Sequence, residues 1–253
     1  MMRVSRGIRI ASAFLSLGAV LAIAQTRVRL AYECTEEDVD AFGLTCTMEQ
    51  PCPVYVEIAS VDGTGNRIVA TGNLHTSDRT LYSVVMMSED GGLTWSEPHA
   101  RLRSAALEQI EFLDLQTGWI SGVSIDPLPR NPFFLLTTDG GKIWRQKLVF
   151  DDARVGTVAQ FHFTSKSTGQ FVLDASRGKT IRQELYESHT GGESWEAKQT
   201  SNSALRLANP RPPRSLNWRA RADAATQTYR LERGAGSVWE PIADVAIHVT
   251  DCK

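Results

Sequence analysis

One short phrase occurs three times in this chain and ends in tryptophan each time: Ser88-Glu89-Asp90-Gly91-Gly92-Leu93-Thr94-Trp95, Thr137-Thr138-Asp139-Gly140-Gly141-Lys142-Ile143-Trp144, and Ser188-His189-Thr190-Gly191-Gly192-Glu193-Ser194-Trp195. The copies start about 49 and 51 residues apart. A fixed period of roughly 40–50 residues is that of propeller blades and related arrays. The period constrains the architecture more than any single residue does. It says little about what the resulting scaffold binds.

The phrase has a mechanical reading. The polar residue at its first position and the Asp at its third can bond nearby backbone N–H groups and fold an Asx-type turn. The Gly-Gly pair supplies φ > 0. The residues that follow start a strand, with the Trp as its anchor. Apolar or β-prone runs precede each turn: Leu81-Tyr82-Ser83-Val84-Val85-Met86, Phe133-Phe134-Leu135-Leu136 and Glu184-Leu185-Tyr186. Each copy therefore reads as strand, tight turn, strand.

The phrase resembles the Asp-box, or BNR repeat (Ser/Thr-x-Asp-x-Gly-x-Thr-Trp), of β-propellers. Its matching residues are Ser88, Asp90, Gly92, Thr94 and Trp95 in the first copy, Thr137, Asp139, Gly141 and Trp144 in the second, and Ser188, Gly192 and Trp195 in the third. Ile143 replaces the usual Thr. Thr190 replaces the Asp of the third copy, so weaker turn bonds are expected there. The match extends upstream, through Ile110-Glu111-Phe112-Leu113-Asp114 and Thr117-Gly118-Trp119-Ile120-Ser121-Gly122, then Phe161-His162-Phe163 and Thr168-Gly169-Gln170-Phe171-Val172. These strings are similar to the photosystem II stability/assembly factor family and its secreted bacterial relatives. A first repeat fits from Val54, and a degenerate fourth ends at Gly234-Ala235-Gly236-Ser237-Val238-Trp239.

The resemblance implies an all-β chain, a small β-propeller of about four BNR-type blades, closed or incomplete and open. The expected divisions are 1–24 leader, 25–52 cysteine-bearing segment and 53–253 repeats, at about 53–100, 101–150, 151–200 and 201–253. The alternating stretch Ala243-Asp244-Val245-Ala246-Ile247-His248-Val249 is expected to complete the first blade and seal the ring.

Arg3, Arg6 and Arg9 precede an apolar run over 11–24 that ends in Ala22-Ile23-Ala24. This is the pattern of a cleaved secretory signal peptide, with an uncleaved anchor as the alternative. The run falls short of the ~20 apolar residues of a membrane span. The expected setting is periplasmic or extracellular, with no transmembrane segment in the mature chain. Four cysteines, Cys34, Cys46, Cys52 and Cys252, suggest disulfides in such a chain. Their spacing, with no His nearby, does not suit zinc. A propeller brings its two ends together, so one of the first three is expected to pair with Cys252, with Cys52 and Cys34 foremost.

The formal net charge is −2 and becomes more negative once the leader arginines are removed, which excludes a general nucleic-acid binder. Glu33, Glu36, Glu37, Asp38, Asp40 and Glu49 crowd the start, and arginines crowd the fourth repeat. Ring closure would set the two regions face to face. Alternatively Arg211, Arg214, Arg219 and Arg221 form a surface for an acidic partner, with Pro210-Arg211-Pro212-Pro213-Arg214 as a stiff exposed loop.

The Asp-box also decorates sialidases, which need an arginine triad, a Tyr–Glu nucleophile pair and an acid. Their Arg-Ile-Pro signature is met here only by Arg67-Ile68-Val69, and the chain is too short for six blades. The five histidines show no metal spacing. Asp62-Gly63-Thr64-Gly65-Asn66 reads as a hairpin turn rather than a calcium loop. No catalytic residue and no cofactor or metal are assigned. Two function classes follow: a non-catalytic exported scaffold for a protein partner, or a carbohydrate-active protein, either glycan binder or glycosidase. A central cluster of carboxylates and arginines would favour hydrolysis.

Overall fold

The computed structural model describes residues 26–125, 128–211, 217–226, 228–246 and 248–253. The expected leader, Arg214 and Ile247 lie outside the described residues. Four four-stranded sheets make up the fold. The first holds β2 (Cys52–Thr64), β3 (Arg67–His75) and β4 (Thr80–Ser88), with β16 (His248–Cys252) on the free side of β2. The second holds β5 (Ala105–Phe112), β6 (Gly118–Ile125), β7 (Pro129–Thr137) and β8 (Arg145–Leu148). The third holds β9 (Thr157–Phe163), β10 (Gly169–Asp174), β11 (Gln183–Ser188) and β12 (Glu196–Ser201). The fourth holds β13 (Trp218–Asp223), β14 (Thr228–Ala235) and β15 (Val238–Ala246), with β1 (Thr26–Val28) added in parallel to β15. This is a small, all-β, propeller-like fold.

Side-chain alternation explains the stacking. Successive residues of a strand point to opposite faces. On β4, Val84 and Met86 join a cluster with Val56, Ile68, Leu231 and Val245, between the first and fourth sheets. Val85 and Met87 join a second cluster with Leu107, Ile120, Phe133 and Trp144, between the first and second sheets. Phe133 and Leu135 face that second cluster, and Phe134 and Leu136 face a third with Trp119, Phe163 and Phe171, between the second and third sheets. Trp119 and Phe163 stack there with ring centroids 3.7 Å apart. A strand buried on both faces needs a continuous apolar run, as Phe133-Phe134-Leu135-Leu136 supplies.

The other face of sheet four is polar. Opposite the cluster-facing Ala220, Tyr229, Leu231 and Val245, sheet four carries Arg219, Arg221, Arg230, Glu232 and Asp244, paired across strands as Arg219–Glu232 and Arg230–Asp244. Among the described residues three apolar clusters form, and none joins sheets three and four. The segment 202–211 is bonded to sheet three. Its Leu205 N–H donates to Gln183 (2.7 Å), its Ala208 N–H to Gln170 (3.1 Å), and Gln160 donates to Leu205 O (3.0 Å).

Three expectations need correction. The stretch from Ala243 does not run on as one sealing strand: through Ala246 it is part of β15 in sheet four, and β16 alone pairs with β2. Nor is Gly236 in a fourth box. It sits at φ 65° in the hairpin turn between the second and third strands of its sheet, whereas the three boxes follow the third strand of theirs. The acidic N-terminal residues meet Arg103, through Glu37 at 3.1 Å and Asp38 at 3.5 Å, and not the fourth-repeat arginines. Of those, Arg219, Arg230 and Arg233 pair with acids one strand away on their own sheet, and Arg211 pairs with Asp62 of sheet one.

The N-terminal segment is built into the fold. The helix α1 (Glu36–Phe42) starts at a capping box in which Thr35 and Asp38 each bond the other's backbone, and it ends at Gly43 in the left-handed region. Phe42 and Leu30 enter the first cluster. Cys34 pairs with Cys252, and Cys46 with Cys52. Of the two partners foremost for Cys252, the structure selects Cys34. Cys52 sits directly across the ladder from Cys252 but bonds Cys46.

The Cys34–Cys252 bridge closes a 218-residue separation, against 6 for Cys46–Cys52. Removing it as the Cys34→Ser/Cys252→Ser pair is expected to lower stability by about 2–5 kcal/mol in urea unfolding, and removing the short bridge should cost less. Non-reducing peptide maps check the pairing. Gly92 lies at φ 97°, and a Cβ there would stand 2.4 Å from Ile242 Cγ2 of sheet four. Gly92→Ala is therefore expected to cost more than about 1 kcal/mol in the same assay. Ile242→Ala should recover only the steric part of that loss.

Candidate functional site

The two ends of the sheets differ. At one end the three boxes follow β4, β7 and β11. In the first, Ser88 Oγ receives Gly92 N–H at 2.8 Å, and Asp90 receives Thr94 N–H at 2.9 Å and Thr94 Oγ1–H at 2.6 Å. These donors hold the exposed Asp90 carboxyl down at about 2. In the second, Thr137 receives Gly141 N–H and Asp139 receives Ile143 N–H. In the third, Ser188 receives Gly192 N–H, and the Thr190 hydroxyl accepts from Ser194 N–H at 2.9 Å. That turn keeps its shape with an uncharged acceptor. Each box is also tied to its own sheet, because Gly91, Gly140 and Gly191 donate to Asn66, Gln116 and Ser167 carbonyls at 2.8 Å. The side-chain acceptors at the first and third positions of each box are thus engaged by the box's own N–H groups.

Nearer the axis, at the same end, lies a charged group that the sequence reading did not bring together. Asp62 of β2 accepts from Phe112 N–H of β5 at 2.7 Å, and Glu111 of β5 accepts from Phe163 N–H of β9 at 3.1 Å. Each inner strand thus reaches to the next. Arg211 donates to Asp62 at 2.8 Å and to Ile110 O at 3.4 Å, and His162 Nδ1 lies 2.8 Å from Glu111. The Asp62 and Glu111 side chains are 6% and 4% exposed. Burial raises both carboxyls despite their cationic and backbone partners. Asp62, Glu111 and His162 recur at the repeat period, each between apolar neighbours. That recurrence was the signal that could have found them.

This arrangement corrects the expected arginine surface. Arg211 points inward, and its side chain is 18% exposed. Arg219 is paired with Glu232 and lies 4.1 Å over the Trp239 ring. Arg221 is exposed and lines a shallow depression with Asp223, Arg230 and Glu232. Arg219 and Arg221 share one face of β13, and the ion pair with Asp62 draws Arg211 away from them.

The other end carries two further constellations. Asn73 of β3 clasps both the N–H and the carbonyl of Leu107, at 2.8 and 3.2 Å. This fixes the β5 bulge that carries Glu108. Burial and the neighbouring Glu57 carboxylate push Glu108 up to about 7. In sheet three, Tyr186 Oη donates to Glu184 Oε2 at 2.6 Å, beside Arg154 and Arg182. A tyrosine–carboxylate pair among arginines is the group set that sialidase-type hydrolysis requires. Tyr186, however, is 4% exposed, and burial with the Glu184 carboxylate pushes its hydroxyl up to about 12. It stays protonated and enclosed, unfit as a nucleophile. No sequence signal marked Glu108, raised by Glu57 of another strand, or Glu184, whose pocket needs Arg154 from 30 residues away.

Among the described residues no helix is long and apolar enough to cross a membrane, and the two disulfides suit an oxidising compartment. No family model and no curated protein matches the sequence. Among solved structures the chain is similar to YCF48 bound to D1 peptide, with 18% identity over 76% of this chain and 54% of that one and a TM-score of 0.43. It is also similar to YCF48 from Cyanidioschyzon merolae, with 16% identity, 76% and 57% coverage and a TM-score of 0.42. A third is a PL25 polysaccharide lyase, an ulvanlyase, with 12% identity, 77% and 52% coverage and a TM-score of 0.44. The chain spans little more than half the length of these proteins.

Proposed function

We propose that this chain is an exported, non-catalytic propeller scaffold that binds a protein partner. The state of the axis carries this reading. Hydrolysis at a propeller centre needs carboxylates open to a substrate and a water. Here Asp62 and Glu111 are buried, and their oxygens accept from backbone N–H groups, Arg211 and His162. The central charges join neighbouring sheets. Two disulfides and an N-terminal segment packed into the first cluster give a scaffold with both chain ends fixed, and such preorganisation favours binding.

One observation supports the second reading, a carbohydrate-active protein: Glu57 and Glu108 are neighbouring carboxylates, Glu57 exposed and Glu108 raised by burial to about 7. A raised carboxyl beside a second carboxylate suits an acid and a base. Tyr229 lies within reach of the Glu57 charge, but among the described residues no arginine ion-pairs with Glu57 or Glu108, and the scaffold reading is preferred.

The purified chain is expected to release no new reducing ends or unsaturated uronates from a panel of neutral and acidic polysaccharides. It should also form a 1:1 complex with one exported protein that re-forms from purified components in calorimetric titration. Turnover of any of the glycans would reverse the reading.

Glu108 also sets a pH dependence. Its folded pKa of about 7 lies above the ordinary 4.5, so the folded state holds a proton that the unfolded chain releases between those values. Its contribution is present below about pH 4.5 and is lost as the pH rises through about 7. Glu108→Gln, which mimics the protonated form, is therefore expected to exceed the parent by about 1–2 kcal/mol at pH 8, after discounting for partial solvent screening, and to equal it at pH 4. Urea midpoints across that range measure the difference.

A further inference from the structure

We infer that the pocket at the box-free end of the seam between sheets two and three is a carboxylate-binding site that takes an acidic side chain of the protein partner. This inference rests on the scaffold reading and names the chemistry by which one part of the scaffold holds its partner.

The pocket has a volume of about 430 Å³ and is lined by Arg154, Arg177, Arg182, Thr180 and Glu184. Three guanidinium groups therefore surround one carboxylate. Glu184 lies at the base with its side chain 10% exposed. It accepts from Arg182 Nε at 3.0 Å and Nη2 at 2.8 Å, from Arg154 Nη1 at 3.3 Å, and from Tyr186 Oη at 2.6 Å. Burial opposes the ionisation of Glu184, but the Tyr186 hydroxyl and the two arginines outweigh it and hold the carboxyl below its usual range. The base is thus a fixed anion that orients two cations. Arg154 is fixed a second time, 4.2 Å over the Phe150 ring and 2.5 Å from Tyr186 Oη.

Both arginines remain open on their outer sides, with side chains 43% and 58% exposed. Arg177 stands at the pocket mouth on a turn closed by the mutual Arg177–Thr180 backbone bonds of 2.9 and 3.0 Å. No acidic side chain pairs with it among the described residues. The nearby Asp174 accepts instead from Ser176 N–H at 2.9 Å. The pocket therefore carries two positive charges in excess, on planar forks that match a carboxylate in two-point contact. Preorganised forks lose little side-chain freedom on binding. A peptide carboxylate is favoured over a sugar acid because the lining offers no exposed aromatic face on which a sugar ring would stack; Phe150 is covered by Arg154, and Tyr186 is buried.

The test is fluorescence anisotropy on the intact disulfide-bonded chain. The probes are a labelled glutamate-rich decapeptide, its glutamine counterpart, and labelled oligogalacturonate. The acidic peptide is expected to bind about tenfold more tightly than the glutamine peptide. Arg177→Gln should weaken it about fivefold and flatten its salt dependence. The melting temperature should not move, because Arg177 has no internal partner to lose. Equal binding of the two peptides, or no effect of Arg177→Gln, overturns the inference. Tighter binding of oligogalacturonate with the same arginine dependence also overturns it, by making the occupant a glycan. The scaffold reading fails separately. If the purified 1:1 partner complex is indifferent to Arg177→Gln, only the pocket is wrong, whereas glycan turnover removes the reading itself.

Discussion

Burial of both faces of the same strands is the constraint on which the rest of this structure depends. Strands β3, β4, β6 and β7 send alternate side chains into different apolar clusters, so sheets one and two are each held between neighbours. Each large side chain buried in this way contributes about 1.5–3 kcal/mol. Trp119, Phe133, Phe134, Phe163 and Phe171 are all fully buried. With those seams set, the inner strands lie close enough for Asp62 and Glu111 to accept backbone N–H groups from the next sheet.

Sheet four follows the same rule with different residues. It puts Arg219, Arg221, Arg230, Glu232 and Asp244 on one face, and charged faces do not coalesce into an apolar cluster. Its apolar face and the chain ends join it to sheet one. Strand β1 extends sheet four, β16 extends sheet one, and the Cys34–Cys252 bond joins the segment after β1 to β16. Gly92 of the first box against Ile242, and Trp218 Nε1 donating to Gly63 O at 3.0 Å, complete the contact of sheet four with sheet one.

Charge in this molecule divides by location. Buried charges near the axis are matched and connect sheets. At the box-free end, charges are incompletely matched: Glu108 beside Glu57, and three arginines around Glu184. Unmatched charge at a pocket is available to a ligand, and matched buried charge is not. The distinction separates the scaffold's framework from its recognition surface.

The repeat phrase alone determined the fold class, because Gly pairs at φ > 0 and their hydroxyl and carboxylate acceptors are local requirements that adjacent residues can meet. The approximate number of sheets followed from the period. Strand identity in the fourth repeat did not, because a glycine turn reads the same between any two antiparallel strands. Only the hydrogen-bonded register assigns Gly236 to the β14–β15 hairpin. The partner of Cys252 was likewise undecided in the sequence, since Cys34 and Cys52 both reach the closure point, and the Cys46–Cys52 bond leaves Cys34 for it. The roles of the charged residues were the least legible. Arg211 read as an exposed loop residue and became an axial ion-pair partner, and Glu108 and Glu184 carried no pattern at all. Arg154 reaches Glu184 from 30 residues away and Asp62 meets Arg211 from 149, and a pKa or a pocket depends on such distances in space, which only the tertiary structure sets.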